Sequence, residues 1–169
     1  MKYIPLTKGK VSIVDDEDFR WLSQWKWQYL QNKNGYAIRD LGRKYLHREI
    51  MHCPKGKQVD HINHNTLDNR KENLRICTGA ENHHNIIRKS LPESGYRGVK
   101  NFNKQRKKLW IAKKGNRPWS ASIMVNRKYI YLGCYFTKEE AAKVYNEAAV
   151  KYFGEYAHLN IIKNDIMYP

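Results

Sequence analysis

Six of the seven histidines fall between His47 and His84, and inside that window Asp60 and His61 stand side by side in the segment VDHINHN. An imidazole titrates near neutral pH and can take a proton from water. The carboxylate beside it is a hard oxygen donor of the kind that holds a divalent cation. Asn82 lies in the first turn after Thr78, where its amide oxygen adds a second donor. One carboxylate and one amide leave a cation with open positions for water and phosphate, which a catalytic ion needs and a structural ion does not. The chemistry this set suits is phosphodiester hydrolysis, in which a base activates water and a cation neutralises charge on the phosphate and the departing oxygen.

Local structure has to deliver these groups. Val59 and Ile62 flank Asp60-His61 as strand residues, a polar loop of Asn, Thr and Asp follows, and NLRICT (73–78) reads as a second strand. Thr78 and Glu81 form a capping box that starts a helix. The expected order is therefore strand, loop, strand, helix. On a regular strand Asp60 and His61 face opposite sides, so a local distortion is expected to bring both to one phosphate. Asn65, Asp68 and Asn69 read as loop formers that stabilise turns through side-chain to backbone hydrogen bonds. His47, His52, His64 and His84 are expected to meet phosphate, water or neighbouring loops.

Asp60-His61, Asn73-Leu74 and Asn82, taken as a set, resemble the HNH (ββα-metal) nuclease motif. The closer likeness is to the phage and intron-encoded homing endonucleases, in which the last histidine of the motif is replaced by asparagine. YLHREIM (45–51) also resembles the segment upstream of the motif in those enzymes. The resemblance implies His61 as general base, Asp60 and Asn82 as holders of Mg²⁺ (or Mn²⁺), and Asn73 as a tie that fixes the loop and so His61. His83 and Asn85 remain alternatives to Asn82. Many HNH proteins carry two Cys-x-x-Cys pairs for zinc. Here Cys53, Cys77 and Cys134 are widely spaced, so neither zinc nor a disulfide framework is expected. The implied products carry a 5′ phosphate, and one site per chain implies a nick, or a double-strand break where two chains cooperate.

Composition agrees with a nucleic-acid partner. Lys and Arg total 32 against 16 Asp and Glu, a net charge of +16 with a pI near 9.8. Such an excess favours a polyanion. No apolar run approaches the roughly 18 residues of a membrane span, and MKYIPLTKGK lacks the apolar stretch of a signal peptide. A cytoplasmic protein of a phage or bacterial host cell, not secreted and with no membrane partner, is expected.

The 169 residues suit one ordinary domain or two small ones, and a change of texture favours two. The expected architecture is α+β: a nuclease domain over 1–89 with its ββα-metal core at about 57–89, a linker at 90–94 (SLPES), a second domain over 95–162, and a tail at 163–169. In the first domain Asp15 or Asp16 caps a short helix whose Phe19, Leu22 and Trp25 face inward, and NKNG (32–35) turns the chain before the strand YAIR. In the second, WSASIMV (119–125), the turn NRK and YIYLGCYF (129–136) make a hairpin. Thr137 and Glu140 then box a helix carrying Ala141, Tyr145, Ala148, Ala149 and Tyr152 at helical spacing, ended by Gly154. The unit is a small three-stranded antiparallel sheet packed on one helix.

SGYRGVK, WSASI and the segment from YLGCYF to HLN resemble the plant APETALA-type (ethylene-response-factor) DNA-binding domain, from about Ser94 to Ile161, interrupted by a longer basic first turn at 101–118. In that family the sheet enters the major groove and the helix braces it. By resemblance Arg97, Gly98 and Lys100 match first-strand contact positions, Trp119 packs or touches a sugar, and Tyr131 takes the place of an aromatic contact. Tyr129 stands where the family often has a basic residue. Independently of family, Arg97, Lys100, Arg127 and Lys128 offer cations at strands and turns. Double-stranded DNA is the expected partner of a monomer or weak homodimer. The expected function is a metal-dependent DNA endonuclease. The alternative is a DNA-binding regulator with an inactive HNH module, which the intact Asp60, His61 and Asn82 set disfavours.

Overall fold

The computed structural model describes residues 1–31, 35–85, 91–101 and 117–162. The turn expected at 32–35 (Gly35 excepted), most of the basic turn at 101–118 and the tail at 163–169 lie outside the described residues. Two compact units divide the chain, Met1–His83 and His84–Pro169. The elements are mixed α+β, as expected.

The first unit begins with an antiparallel pair, β1 (Lys2–Pro5) and β2 (Val11–Val14), which buries Ile4 and Val14. Helix α1 (Asp16–Leu22) follows. Asp15 occupies its N-cap, but the carboxylate accepts the Lys71 backbone N–H at 2.8 Å instead of capping its own helix. The helix stops at Leu22, so the helical phase that would carry Trp25 inward is lost. Trp25 is exposed, with the Arg39 guanidinium 4.3 Å from its ring centroid. Trp27 enters the core instead and donates its indole N–H to the Leu22 carbonyl at 2.9 Å.

Strands β3 (Gln28–Leu30), β4 (Tyr36–Arg39) and β5 (Lys44–Tyr45) form an antiparallel sheet in that order. The short helix α2 (Leu46–Ile50) buries Leu46, His47 and Ile50. Then β6 (Gln58–His61) pairs with β7 (Leu74–Cys77), and α3 (Gly79–Asn85) follows. The expected capping box opens α3: Thr78 N–H donates to the Glu81 carboxylate, and Glu81 N–H to the Thr78 hydroxyl. The loop between β6 and β7 is stitched to β2. Ile13 N–H donates to Leu67 O and Asn69 N–H to Ile13 O, each at 2.8 Å.

In the second unit β8 (Val99–Asn101), β9 (Trp119–Val125) and β10 (Lys128–Tyr135) form an antiparallel sheet ordered β10-β9-β8. Asn126 and Arg127 both have positive φ, 49° and 64°, the backbone of the tight turn whose twist matches a hairpin. Helix α4 (Lys138–Phe153) starts from the expected Thr137–Glu140 capping box and packs Ala141, Tyr145 and Ala149 on Val99, Ala121 and Ile123. Tyr152, in its last turn, is exposed. Ser94, expected in the linker, is buried in this unit with its hydroxyl donating to the carbonyls of Tyr96 and Val99. Among the described residues no helix is long and apolar enough to cross a membrane.

Candidate active site

His61 is the last residue of β6, and its side chain is 5% exposed. The ladder is regular from Gln58↔Cys77 to His61↔Leu74, so the distortion expected within the strand is not there. Alternation rules instead. Val59 and His61 share one face, with Val59 in the core, while Gln58 and Asp60 share the other. The strand simply ends at His61, where Ile62 N–H donates to Asn73 O and His64 N–H to His61 O.

The tautomer of His61 follows from its neighbours. Its Nε2 lies 3.2 Å from Asn69 Oδ1. Asn69 Nδ2 sits 3.3 Å from the Thr66 carbonyl, which can only accept, and 2.7 Å from Ser12 Oγ, whose own hydrogen goes to Leu67 O. The amide nitrogen must therefore face Thr66 and Ser12, and the amide oxygen must face His61. A neutral His61 then carries its hydrogen on Nε2, and its Nδ1 holds the lone pair that can accept a proton. Burial pushes the imidazole below its usual pKa. The Asn69 hydrogen bond and the charges of Asp60 and Asp68 oppose that shift without reversing it. The ring is thus a neutral base at neutral pH.

Asn69 was expected only as a loop former, so it is the site residue that sequence reasoning missed. No local signal could have shown it, because its role depends on Ser12, 57 positions away. Asn73, expected as a tie that fixes the loop, is buried immediately before β7. Its Oδ1 accepts Asn63 N–H at 2.9 Å and its Nδ2 donates to Asp68 O at 2.7 Å, closing the loop at both sides. Asp68 is held by the Arg70 guanidinium at 2.7 and 2.8 Å and by Asn63 Nδ2 at 2.9 Å. Those hydrogen bonds, the Arg70 ones foremost, hold its carboxyl below the usual range.

On the other face of β6, Asp60 is buried beside its cross-strand partner Arg75, whose Nε and Nη2 both donate to Oδ2, at 2.9 and 2.7 Å. Asn82 is half-buried on α3 and donates from Nδ2 to Gln58 Oε1 at 2.7 Å. Gln58 is two residues from Asp60 on the same strand face, so the two candidate ligands lie on one side of the hairpin. His83 is exposed and Asn85 buried. Among the described residues no group of three or more His, Cys, Asp or Glu side chains forms a metal cluster. The donor set is one carboxylate and one amide, both hard oxygen donors, and it fits Mg²⁺ or Mn²⁺ completed by water and phosphate oxygens. It does not have the thiolates or imidazoles of a structural zinc site.

His47, expected to meet phosphate, water or neighbouring loops, is buried among the rings of Tyr36, Tyr45 and His61. Its position in α2 turns it into the core, and burial, with His61 and Arg48 nearby, lowers its pKa to about 3. His64 has a positive φ of 63° and a pKa lowered chiefly by burial.

A family model for HNH endonucleases matches residues 44–84, from β5 into α3. An uncharacterized HNH endonuclease of Acanthamoeba polyphaga mimivirus is 34% identical over 162 residues, covering 92% of this chain and 77% of that protein. The chain belongs to the HNH endonuclease family. The HNH match contains Asp60, His61, Asn73, Asn82 and the alternative ligand His83, and it ends before the other alternative, Asn85. The similarity to the viral HNH protein runs well beyond that core.

The residues expected to touch DNA in the second unit fall into two groups. Lys100, Arg127, Lys128 and Tyr131 are exposed. Trp119 packs against the cluster of Tyr96, Val99 and Ala121. Gly98 has φ of 75°, and a Cβ there would lie 2.1 Å from the Tyr145 ring, so this position serves close backbone approach. The backbone of Arg97 is clamped by Asn160, which accepts its N–H at 2.7 Å and donates to its carbonyl at 3.1 Å.

Proposed function

We propose that this HNH unit hydrolyses phosphodiester bonds in double-stranded DNA, with His61 as the general base. The observation that carries this reading is the commitment of His61 Nε2 to Asn69. It leaves Nδ1 as the proton acceptor of an imidazole that burial keeps neutral. His61 takes the proton of the attacking water through Nδ1, and Asn69 accepts from the imidazolium that results, stabilising it. Asn73 holds the loop that keeps both in register. Asp60 and Asn82 would hold Mg²⁺ or Mn²⁺, which when bound neutralises charge on the phosphate and the leaving 3′ oxygen. Asp60 and His61 occupy the last two positions of β6, so the mechanism requires the scissile phosphate to lie over that end of the strand.

The second unit grips the duplex in this reading, in the manner of an ethylene-response-factor-like sheet. Lys100 and Lys128 supply phosphate contacts, and Tyr129 and Tyr131 lie exposed on the sheet face. Arg127, at the hairpin turn, is placed to add a third cation. One HNH site per chain makes a nick the product of a monomer. The homing-type role inside a host cell rests on the likeness of the Asp60-His61, Asn73 and Asn82 set to the motif of those enzymes. Supercoiled plasmid incubated with the protein and Mg²⁺ should become nicked, and a chelator should stop it. Plasmid that is bound but left supercoiled would favour a DNA-binding regulator with an inactive HNH module.

A further inference from the structure

His47 is 7% exposed, and its Nδ1 has no hydrogen-bond partner among the described residues. A histidine retained for stability alone would have its buried nitrogens paired, and an apolar side chain would fill the same space without an orphaned atom. What surrounds the ring is aromatic. Its centroid lies 5.1 Å from that of His61 at 78°, 5.3 Å from Tyr36 and 5.5 Å from Tyr45. The first of these is an edge-to-face contact, the arrangement ring quadrupoles favour. His61 is therefore fixed from two directions, by the Asn69 amide at Nε2 and by a second imidazole against its ring.

We propose that His47 is a positioning residue for His61, holding the base's ring in the orientation set by Asn69 through the edge-to-face contact. The proposal rests on the reading of His61 as the base. A neutral neighbour suits that task, because a cation in its place would oppose the charge His61 gains on taking a proton. The depressed pKa of His47 keeps it neutral across the working range of the base. Charged and titratable groups near His47 are His61 and Arg48, with Tyr36 and Tyr45 completing the ring cluster.

Long-range ¹H–¹⁵N spectra distinguish the two neutral tautomers of a histidine and read His61 without any turnover. The wild-type protein should show His61 in the Nε2–H form alone. His47→Ala should mix the tautomers and lower kcat for plasmid nicking by about 10- to 100-fold, the scale of a slightly misplaced catalytic group, with KM little changed. His47→Phe restores a ring contact and should recover the single tautomer and most of kcat. A His47→Ala protein with wild-type spectrum and kcat overturns the proposal. So does a folded His47→Phe protein that loses as much kcat as His47→Ala while His61 stays in its Nε2–H form, since the nitrogen would then be acting directly. If His47→Ala fails to fold by circular dichroism, the result with His47→Phe decides alone. A wild-type protein that cuts nothing refutes the nuclease reading, and the nitrogen spectra still test the ring contact.

Discussion

Acidification should loosen the first unit through His47 before it reaches any carboxylate of ordinary pKa. The unfolded imidazole takes a proton as pH falls through about 6.5, whereas the folded one stays neutral until about 3. Between those values the unfolded state binds the extra proton, so stability falls as pH falls and is fully present only above 6.5. At pH 5 the gap traversed is 6.5 − 5 = 1.5 pH units, and at about 1.36 kcal/mol per unit it amounts to about 2 kcal/mol. His61, whose pKa burial also lowers, adds in the same direction. The assay is urea denaturation at pH 7 and pH 5, followed by fluorescence of the first unit's tryptophans, of which Trp27 is buried. His47→Phe removes the titrating group and should lose about 2 kcal/mol less between the two pH values than the wild type. Equal losses in the two proteins would show that His47 is not held neutral by its surroundings.

Asn69→Ala should leave the His61 N–H unpaired, cost about 1–3 kcal/mol of stability, and lower nicking by about 10- to 100-fold with DNA affinity nearly unchanged; denaturation and single-turnover kinetics read both. Gly98→Ala should destabilise the second unit by at least about 2 kcal/mol, from overlap with Tyr145 and a left-handed backbone; a melting temperature equal to that of the wild type would contradict the packing described. Lys100→Ala and Lys128→Ala should each weaken duplex binding and reduce the slope of log affinity against log salt by about one, and an unchanged slope would place those lysines off the DNA.

The strand–loop–strand–helix order around His61 was legible because each boundary has a local chemical marker. Thr78 and Glu81 cap α3 as a pair, and the polar run after Ile62 cannot continue a buried strand. The hairpin and helix of the second unit were legible for the same reason, with Asn126-Arg127 at the turn and Thr137–Glu140 at the cap. What depended on distant contacts was not. Helical phase sends Trp25 inward, but α1 ends at Leu22 and Trp27 is buried in its place. Asn69 reads as one more loop asparagine until β2 brings Ser12 to it. His47 reads as a polar histidine until α2 buries it against His61. Asp15 reads as a cap for its own helix, yet its carboxylate serves Lys71, 56 positions on.

In the proposed reaction His61 removes the proton of the attacking water. Single-turnover cleavage and binding of one labelled duplex should be measured for the wild type and His61→Ala, each with Mg²⁺. His61→Ala should lose cleavage by at least about 100-fold, the scale of a lost general base, while its affinity for the duplex stays close to that of the wild type. Cleavage by His61→Ala at the wild-type rate would exclude His61 as the base, and so would a loss of cleavage fully explained by an equal loss of binding.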